Sequence, residues 1–176
     1  MSEQKNIILI GFMGCGKTTC GKWIAENKPF DFVDTDQYIV DKEGRSIHEI
    51  FDDDGEPYFR KLETMVLKEL LESENTRQKV FSVGGGLPIT NENRPLLKQL
   101  GYVVYLRTSI DELVKRLNKD TQRPLLAGGN VRDKIVRLME QRKDIYEQVA
   151  DKIIDTDGKD IEHIYEEITG DKWTKY

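Results

Sequence analysis

The sequence lacks the features that mark membrane, nucleic-acid-binding and metal-binding proteins. No apolar run approaches the roughly 20 residues of a membrane span, and no A-x-A-like cleavage site follows the short apolar stretch at 7–13. A formal net charge of −5 argues against the broad basic face of a nucleic-acid-binding protein. The two cysteines, Cys15 and Cys20, fit no metal-ligand spacing. We therefore expect a cytoplasmic protein with free thiols that binds neither nucleic acid nor a membrane.

The composition and the alternation of apolar segments indicate one α/β domain. With 176 residues, 38% hydrophobic and 34% charged, the chain is long enough for a single ample core. Five short apolar runs predict buried strands at 7–10, 30–33, 79–83, 102–106 and 152–154. Helical patterns separate them at 17–27, 57–72, 110–118, 131–149 and 160–169, and Ser109 with Glu112 predicts a capping box for the third of these. The alternation predicts a three-layer α/β/α fold with a five-stranded parallel sheet covered on both faces.

A glycine-rich segment directly follows the first apolar run. Residues 11–18 read Gly-Phe-Met-Gly-Cys-Gly-Lys-Thr, which matches G-x-x-x-x-G-K-[ST] in the strand–loop–helix context of a phosphate-binding P-loop. The glycines allow backbone N–H groups to surround a polyphosphate, Lys17 supplies a positive charge, and the Thr18 hydroxyl can hold Mg²⁺. A glycine-rich turn could match the pattern by chance, but the flanking strand and helix favour a site for a nucleoside triphosphate.

Two carboxylates, Asp34 and Asp36, follow the second predicted strand. Ligands bind at the carboxyl ends of strands in open α/β sheets, which places this pair near the loop. One acid can face Mg²⁺ through its water shell while the other accepts a hydrogen bond from an attacking hydroxyl. The plainer interpretation is an aspartate that caps the helix beginning near Gln37, and both roles can hold at once.

The third predicted strand ends in Gly84, Gly85 and Gly86, where a metal-binding Walker-B segment would carry an acid. Three glycines expose backbone N–H groups with no side chain in the way, which suits close approach by a small ligand. The alternative is a tight turn before Pro88, although a turn rarely needs three glycines.

Two segments are longer than simple connections need. Residues 34–72 place two or three helical pieces between strands, which indicates a substrate-binding insertion, and the polar, glycine-rich residues 119–130 are typical of a lid. Arg60 lies in the insertion, Arg123 in the lid and Arg142 on a late helix. A lid arginine can bring positive charge over a transferring phosphoryl group, and the other two can clamp a carboxylate or phosphate. Taken singly, each would be read as an ordinary surface arginine.

Taken in order, these motifs resemble those of the shikimate kinases. The resemblance extends from about residue 6 to residue 157. Besides the loop, it rests on Asp34-Thr-Asp36, Gly44-Arg-Ser-Ile47, Phe59-Arg60, Gly84-Gly-Gly86, Arg123-Pro-Leu-Leu126 and Gln141-Arg142. It implies a P-loop kinase fold of the nucleoside-monophosphate-kinase type. It also implies ATP-dependent phosphorylation of the 3-hydroxyl of shikimate, giving shikimate 3-phosphate and ADP, on the pathway to chorismate and the aromatic amino acids.

The resemblance further implies a role for each matching residue. The ATP phosphates would be held by Arg123 and by the loop residues Gly14, Cys15, Gly16, Lys17, Thr18 and Thr19, with Lys159 near the adenine. Mg²⁺ would be bound by Thr18 with help from Asp34. Shikimate would be held by Asp36, Arg60, Gly84, Gly85, Gly86 and Arg142, with the two arginines facing its carboxylate. Lys17, Asp36 and Arg123 would carry the catalysis.

Two rival functions stay open on the sequence. One is another small-molecule P-loop kinase, acting on gluconate or a nucleotide, and the other is a regulatory domain that senses ATP without transferring its phosphate. Asp36, Arg60, the three glycines and Arg142 together argue against a sensor, because a sensor needs no acceptor pocket. We expect a monomer with a single domain over 1–176 that ends in a flexible tail at 171–176.

Overall fold

The computed structural model describes residues 5–73, 78–118 and 126–173, with side chains of the last segment described to residue 170. The strands are β1 (Ile7–Ile10), β2 (Asp31–Asp34), β3 (Lys79–Ser82), β4 (Tyr102–Arg107) and β5 (Lys152–Asp155). The helices are α1 (Lys17–Asn27), α2 (Thr35–Glu43), α3 (Ile47–Glu72), α4 (Asn93–Leu100), α5 (Ile110–Leu117), α6 (Val131–Val149) and α7 (Ile161–Trp173). A 3₁₀ turn at Leu87–Ile89 follows the glycines after β3.

The five strands form one parallel sheet in the order β2-β3-β1-β4-β5, which confirms the predicted α/β/α architecture. All four residues of β1 are fully buried, as expected for a central strand covered on both faces. Helices α1 and α7 pack together on the sheet, while α4 and α6 both contact β4 and α3 contacts α4. Because β3 and β4 flank β1 on opposite sides, the strand order reverses at β1. Its carboxyl end is therefore a switch point, where ligands bind in such sheets.

The insertion between β2 and β3 contains three helical pieces, where its length predicts two or three. Helix α2 comes first, and α3 is interrupted at Gly55, whose backbone (φ 82°, ψ 170°) is not helical. Glycine adopts this positive φ at little cost, and Pro57 suits the first turn of the helix that resumes after it because it has no N–H to leave unpaired.

Two S-x-x-E sequences begin helices, and they behave differently. Ser46 and Glu49 form a complete capping box at the start of α3. At the start of α5, Ser109 accepts from the Glu112 N–H, but the Ser109 N–H donates to Asp157 (3.1 Å) instead. The Glu112 carboxylate pairs with Arg116 one turn later (2.9 Å), so the predicted box at Ser109 is wrong in its second half.

Helix α4 is the element that the sequence analysis misses. It is eight residues long, buries Asn93, Leu97 and Leu100, and has no side-chain cap at its start. Of the predicted lid, residues 126–130 are described, whereas 119–125, including Arg123, lie outside the described residues. Helix α7 has a non-helical residue at Gly170 and continues to Trp173, so the first three residues of the tail predicted at 171–176 are helical. Residues 174–176 lie outside the described part. None of the helices in the described part combines the length and the apolar character needed to cross a bilayer.

Candidate active site

The loop between β1 and α1 forms an anion site from its own backbone. Gly16 caps α1 in the left-handed conformation (φ 99°), which an L side chain rarely adopts. The cap leaves the first-turn N–H groups of α1 directed out of the helix end, where the helix dipole also favours negative charge. The predicted strand–loop–helix context of the P-loop is thus confirmed.

Lys17 is held inside this loop although its side chain is charged. Its Nζ donates to the carbonyl oxygens of Gly11 (2.9 Å) and Phe12 (3.1 Å) and lies 3.7 Å from Cys15 Sγ. The residue is buried. The ammonium group is therefore fixed beside the loop N–H groups, where a polyphosphate would meet it.

Three oxygen-bearing side chains meet at the first turn of α1. Thr18 Oγ1 donates to Asp34 Oδ2 (3.0 Å) and lies 3.3 Å from Ser82 Oγ at the end of β3. The other carboxylate oxygen of Asp34 accepts from the N–H groups of Asp36 (2.9 Å) and Gln37 (3.2 Å), so Asp34 is the N-cap of α2. The cap predicted as the plainer alternative is present, and the second oxygen still faces Thr18.

A cavity of about 440 Å³ opens along the loop. Its lining includes all six loop residues predicted to hold the ATP phosphates, Gly14, Cys15, Gly16, Lys17, Thr18 and Thr19. Asp34, Asp36, Gly84 and Gly85 line it at one end.

The other end of this cavity is formed by α5, α7 and the turn after β5. Arg116, Thr156 and Lys159 line it, with Ile161 and Ile164 of α7 adding apolar surface. Arg116 donates to the Gly14 carbonyl (3.2 Å), and Lys159 pairs with Glu167 (2.6 Å). The predicted position of Lys159 beside a nucleotide is consistent with this placement.

A second, smaller cavity of about 70 Å³ lies beside the insertion. Its charged members are Asp36, Arg60, Glu63 and Arg142, and its apolar wall includes the paired rings of Phe51 and Phe59, whose centroids are 5.0 Å apart. Arg142 is buried, and its Nη1 has no hydrogen-bond partner among the residues that the structure describes.

The two cavities meet at Asp36. Met13, Asp36, Gly84 and Gly85 line both of them. A group bound in the smaller cavity would therefore lie next to a group bound at the end of the larger one, with the Asp36 carboxylate between them.

The glycines after β3 allow this close packing. A Cβ at Gly84 would lie 2.7 Å from Glu63 Oε1 and 2.8 Å from Asp36 Oδ1, and one at Gly86 would overlap the Arg60 guanidinium. The Tyr146 hydroxyl donates to the Gly85 carbonyl (2.5 Å) and fixes the loop from α6. Burial raises the pKa of Tyr146, which keeps its phenol in the neutral, donating form.

Glu63 is a member of the site that the sequence analysis misses. Its side chain is fully buried, and Oε2 accepts from Arg60 Nη1 (2.7 Å). Burial raises the pKa of the Glu63 carboxyl to about 7, although the Arg60 guanidinium acts in the opposite direction. In the sequence, Arg60 and Glu63 are an ordinary i, i+3 pair on a helix, which gives no sign of burial.

Arg116, Ser82 and Tyr146 are further polar residues at the site that the sequence did not predict. Ser82 carries a weak signal, as a polar residue in an otherwise apolar strand, whereas Arg116 and Tyr146 carry none. Every predicted site residue lines one or both cavities except Arg123, which lies outside the described residues.

Comparison with known proteins agrees with this geometry. The model of the shikimate kinase family matches residues 13–171. A shikimate kinase of Geobacter metallireducens is 42% identical over 169 residues, covering 96% of this chain and 92% of that protein. A shikimate kinase of Enterococcus faecalis is 44% identical over 94% of this chain and 96% of its own length. Among solved structures, shikimate kinase from Acinetobacter baumannii in complex with shikimate is 38% identical with a TM-score of 0.87, covering 93% of this chain and 90% of that one. The chain belongs to the shikimate kinase family.

Proposed function

We propose that this chain transfers the γ-phosphoryl group of ATP to the 3-hydroxyl of shikimate, giving shikimate 3-phosphate and ADP for aromatic amino-acid biosynthesis. The observation that carries this proposal is the position of Asp36, which lines both the cavity along the P-loop and the cavity between the arginines. A transfer enzyme needs its donor and acceptor side by side, whereas an ATP sensor does not. The family of the chain argues against gluconate or a nucleotide as the acceptor.

The donor side acts through position and charge. The backbone of residues 14–19 and the Lys17 ammonium would hold the β- and γ-phosphates, and Lys17 would offset charge that develops during transfer. Phosphoryl transfer needs little covalent help from the protein, so a fixed ammonium inside the loop suits it. Arg123 would add positive charge from the lid, and Lys159 would lie near the adenine.

The donor set near Thr18 suits Mg²⁺. Thr18 Oγ1, Asp34 Oδ2 and Ser82 Oγ form a compact cluster of hard oxygen ligands. Within the described part of the chain, no group of three or more His, Cys, Asp or Glu residues could hold a metal by itself. That fits an ion shared with substrate phosphates, and Thr18 would ligate it with Asp34 assisting; the ion would neutralise charge on the phosphates.

The acceptor side has the groups that a hydroxylated carboxylic acid needs. Arg60 and Arg142 would bind the carboxylate of shikimate, and glycines 84, 85 and 86 would pack against its ring. Asp36 would accept a hydrogen bond from the attacking hydroxyl and direct its oxygen towards the γ-phosphate.

We also infer that the enzyme works as a cytoplasmic monomer that binds neither nucleic acid nor a membrane. The net charge of −5 argues against the broad basic face of a nucleic-acid-binding protein. Light scattering on the purified enzyme measures its oligomeric state, and we expect a mass near the 20.4 kDa of one chain.

The decisive assay is ADP release from Mg-ATP with different acceptors. We expect release with shikimate and only background release with gluconate, with nucleoside monophosphates or without an acceptor. ADP formation that does not depend on shikimate would contradict the proposed function.

A further inference from the structure

We call the smaller cavity, between Arg60 and Arg142, the acceptor cavity, and the larger one along the P-loop the donor cavity. Glu63 is the one acidic side chain of the acceptor cavity that is fully buried. Only one of its oxygens is engaged: Oε2 accepts from Arg60, while Oε1 has no hydrogen-bond partner among the residues described. Oε1 faces the same small space beside Gly84 as Asp36 Oδ1. Burying a carboxylate oxygen without a hydrogen-bond donor raises the free energy of the folded protein, and binding a proton at this oxygen would lower it.

The charges around Glu63 only just balance. The ionisable groups that act on it are Arg60 from α3, Asp36 from α2 and Arg142 from α6. Glu56 also pairs with Arg60, but its side chain is 46% exposed, so water screens its charge. The glycine loop after β3 adds no ionisable side chain, and α4 presents Asn93, whose amide oxygen accepts from the Thr64 hydroxyl (2.7 Å). Inside the cavity, two guanidinium groups therefore stand against two carboxylates when all are ionised.

An acceptor that carries its own carboxylate upsets this balance. Shikimate bound between Arg60 and Arg142 would add a further negative charge close to a buried carboxylate. Two like charges in a poorly solvated site raise the free energy of the ionised form, and the group that can relieve this most easily is the one with least access to water. That group is Glu63.

We propose that Glu63 takes up one proton from solvent when the carboxylate of the acceptor binds between Arg60 and Arg142. This rests on the proposed function, because it takes shikimate as the acceptor. The proton goes to Oε1, the oxygen that Arg60 does not contact, and Oε2 continues to accept from Arg60. Glu63 is then a positioning residue: it holds Arg60 in place and admits a second anion without leaving excess charge in the cavity.

The direction of the pH dependence follows from linkage. In the free enzyme the Glu63 carboxyl has a pKa of about 7, and a bound carboxylate raises it further. Below about pH 6, Glu63 is protonated with or without shikimate, and the affinity does not change with pH. Above about pH 7 the free enzyme has to gain a proton on binding, so the Kd for shikimate rises with pH, by at most about tenfold per pH unit.

Isothermal titration calorimetry of shikimate, without ATP, tests this in the unaltered chain. Titrations between about pH 6 and about pH 9 are repeated in Hepes and in Tris, whose ionisation enthalpies differ. We expect heats that differ between the buffers above about pH 7 and correspond to uptake of up to about one proton. The carboxylate of shikimate stays ionised throughout this range, so it does not contribute.

Two variants assign the proton. Glu63→Gln keeps the shape of the side chain without its charge, and we expect its shikimate Kd to be independent of pH and its heats to be the same in both buffers. Glu56→Gln is the matched control, because Glu56 Oε1 also accepts from Arg60 (2.9 Å) but its side chain is 46% exposed. It should keep the proton uptake of the unaltered chain.

The outcomes separate the two proposals. Equal heats in both buffers for the unaltered chain would overturn proton uptake while leaving shikimate as the acceptor. Uptake that persists in a folded Glu63→Gln variant would overturn the assignment to Glu63. If that variant does not fold, Glu63→Met replaces it, because methionine has a similar length and no titratable group, and proton uptake that persists there would also contradict the assignment to Glu63. Failure of shikimate to bind the folded, unaltered chain would overturn the proposed function and the proton uptake with it.

Discussion

The donor and acceptor cavities are neighbours, but they are built in opposite ways. The donor cavity takes its anion site from one continuous stretch, residues 11–19, and polar groups there satisfy one another, as Lys17 does with the Gly11 and Phe12 carbonyls. The acceptor cavity is assembled from α2, α3, the loop after β3 and α6. It leaves Glu63 Oε1 and Arg142 Nη1 buried without hydrogen-bond partners among the described residues.

The difference shows where each half of the site obtains its specificity. A backbone cradle recognises phosphate in any nucleotide, and it needs only a local sequence. In a cavity with buried, unsatisfied polar atoms, a ligand of matching chemistry gains hydrogen bonds that another ligand cannot make, so the cavity discriminates strongly between acceptors. Substitutions in the donor cavity should therefore mainly lower kcat, whereas substitutions in the acceptor cavity should mainly raise the KM for shikimate.

Lys17→Ala should produce the largest loss. Removing the ammonium inside the loop removes charge stabilisation of the transferring group, and we expect kcat to fall by about 10³-fold or more. Steady-state ADP release measures it. The control is Lys22→Ala, an exposed lysine on the same helix, which should behave like the unaltered enzyme. Near-normal turnover in Lys17→Ala would remove Lys17 from the mechanism.

Asp36→Asn tests the junction of the two cavities. The amide keeps the size of the side chain but accepts the proton or hydrogen bond of the hydroxyl poorly, so kcat should fall by about 10²–10³-fold. ATP binding, followed by calorimetry, should change little. Asp41→Asn, on the exposed side of α2, is the matched control. An unchanged kcat in Asp36→Asn would show that Asp36 has no part in the transfer.

The contrast between the cavities also explains what the sequence could predict. The P-loop is local, so its motif specifies its conformation and its place after β1. The strands were predictable because strands of a parallel sheet are short, nearly continuous apolar runs. The structure places all five within one residue of the predicted bounds, although the edge strands β2 and β5 are only partly buried. Helix α4 was not predictable, because it is short and has neither a side-chain cap nor a long apolar stripe.

The acceptor cavity depends on tertiary contacts that no local pattern contains. Arg60 and Arg142 are 82 positions apart, and each alone looks like an ordinary surface arginine, so only the family resemblance assigned them a shared ligand. Glu63 becomes buried because the glycine loop after β3 packs against it, and neither its neighbours nor its spacing reveal this. The sequence therefore supports the donor site by chemistry and the acceptor site mainly by resemblance.

Arg142→Ala should mainly affect the acceptor. Losing a buried, charge-assisted contact to a carboxylate should raise the KM for shikimate by on the order of 50-fold, while the KM for ATP stays within a few-fold of normal. Steady-state kinetics with each substrate varied in turn measures the split. Arg137→Ala, an exposed arginine on α6, is the control. A normal KM for shikimate would contradict the arginine clamp.

Gly86→Ala should give the smallest effect and the sharpest test of how the acceptor cavity is built. The backbone of Gly86 (φ −90°, ψ −8°) is open to alanine, so the variant adds no backbone strain. Its Cβ would overlap the Arg60 guanidinium, which must shift, and we expect the KM for shikimate to rise by about tenfold with little change for ATP.

The double variant Gly86→Ala with Arg60→Ala supplies the control. If the glycine acts only by leaving space for Arg60, the double variant should be no worse than Arg60→Ala alone, because the two effects share one cause. Additive effects would instead mean that Gly86 meets the acceptor directly.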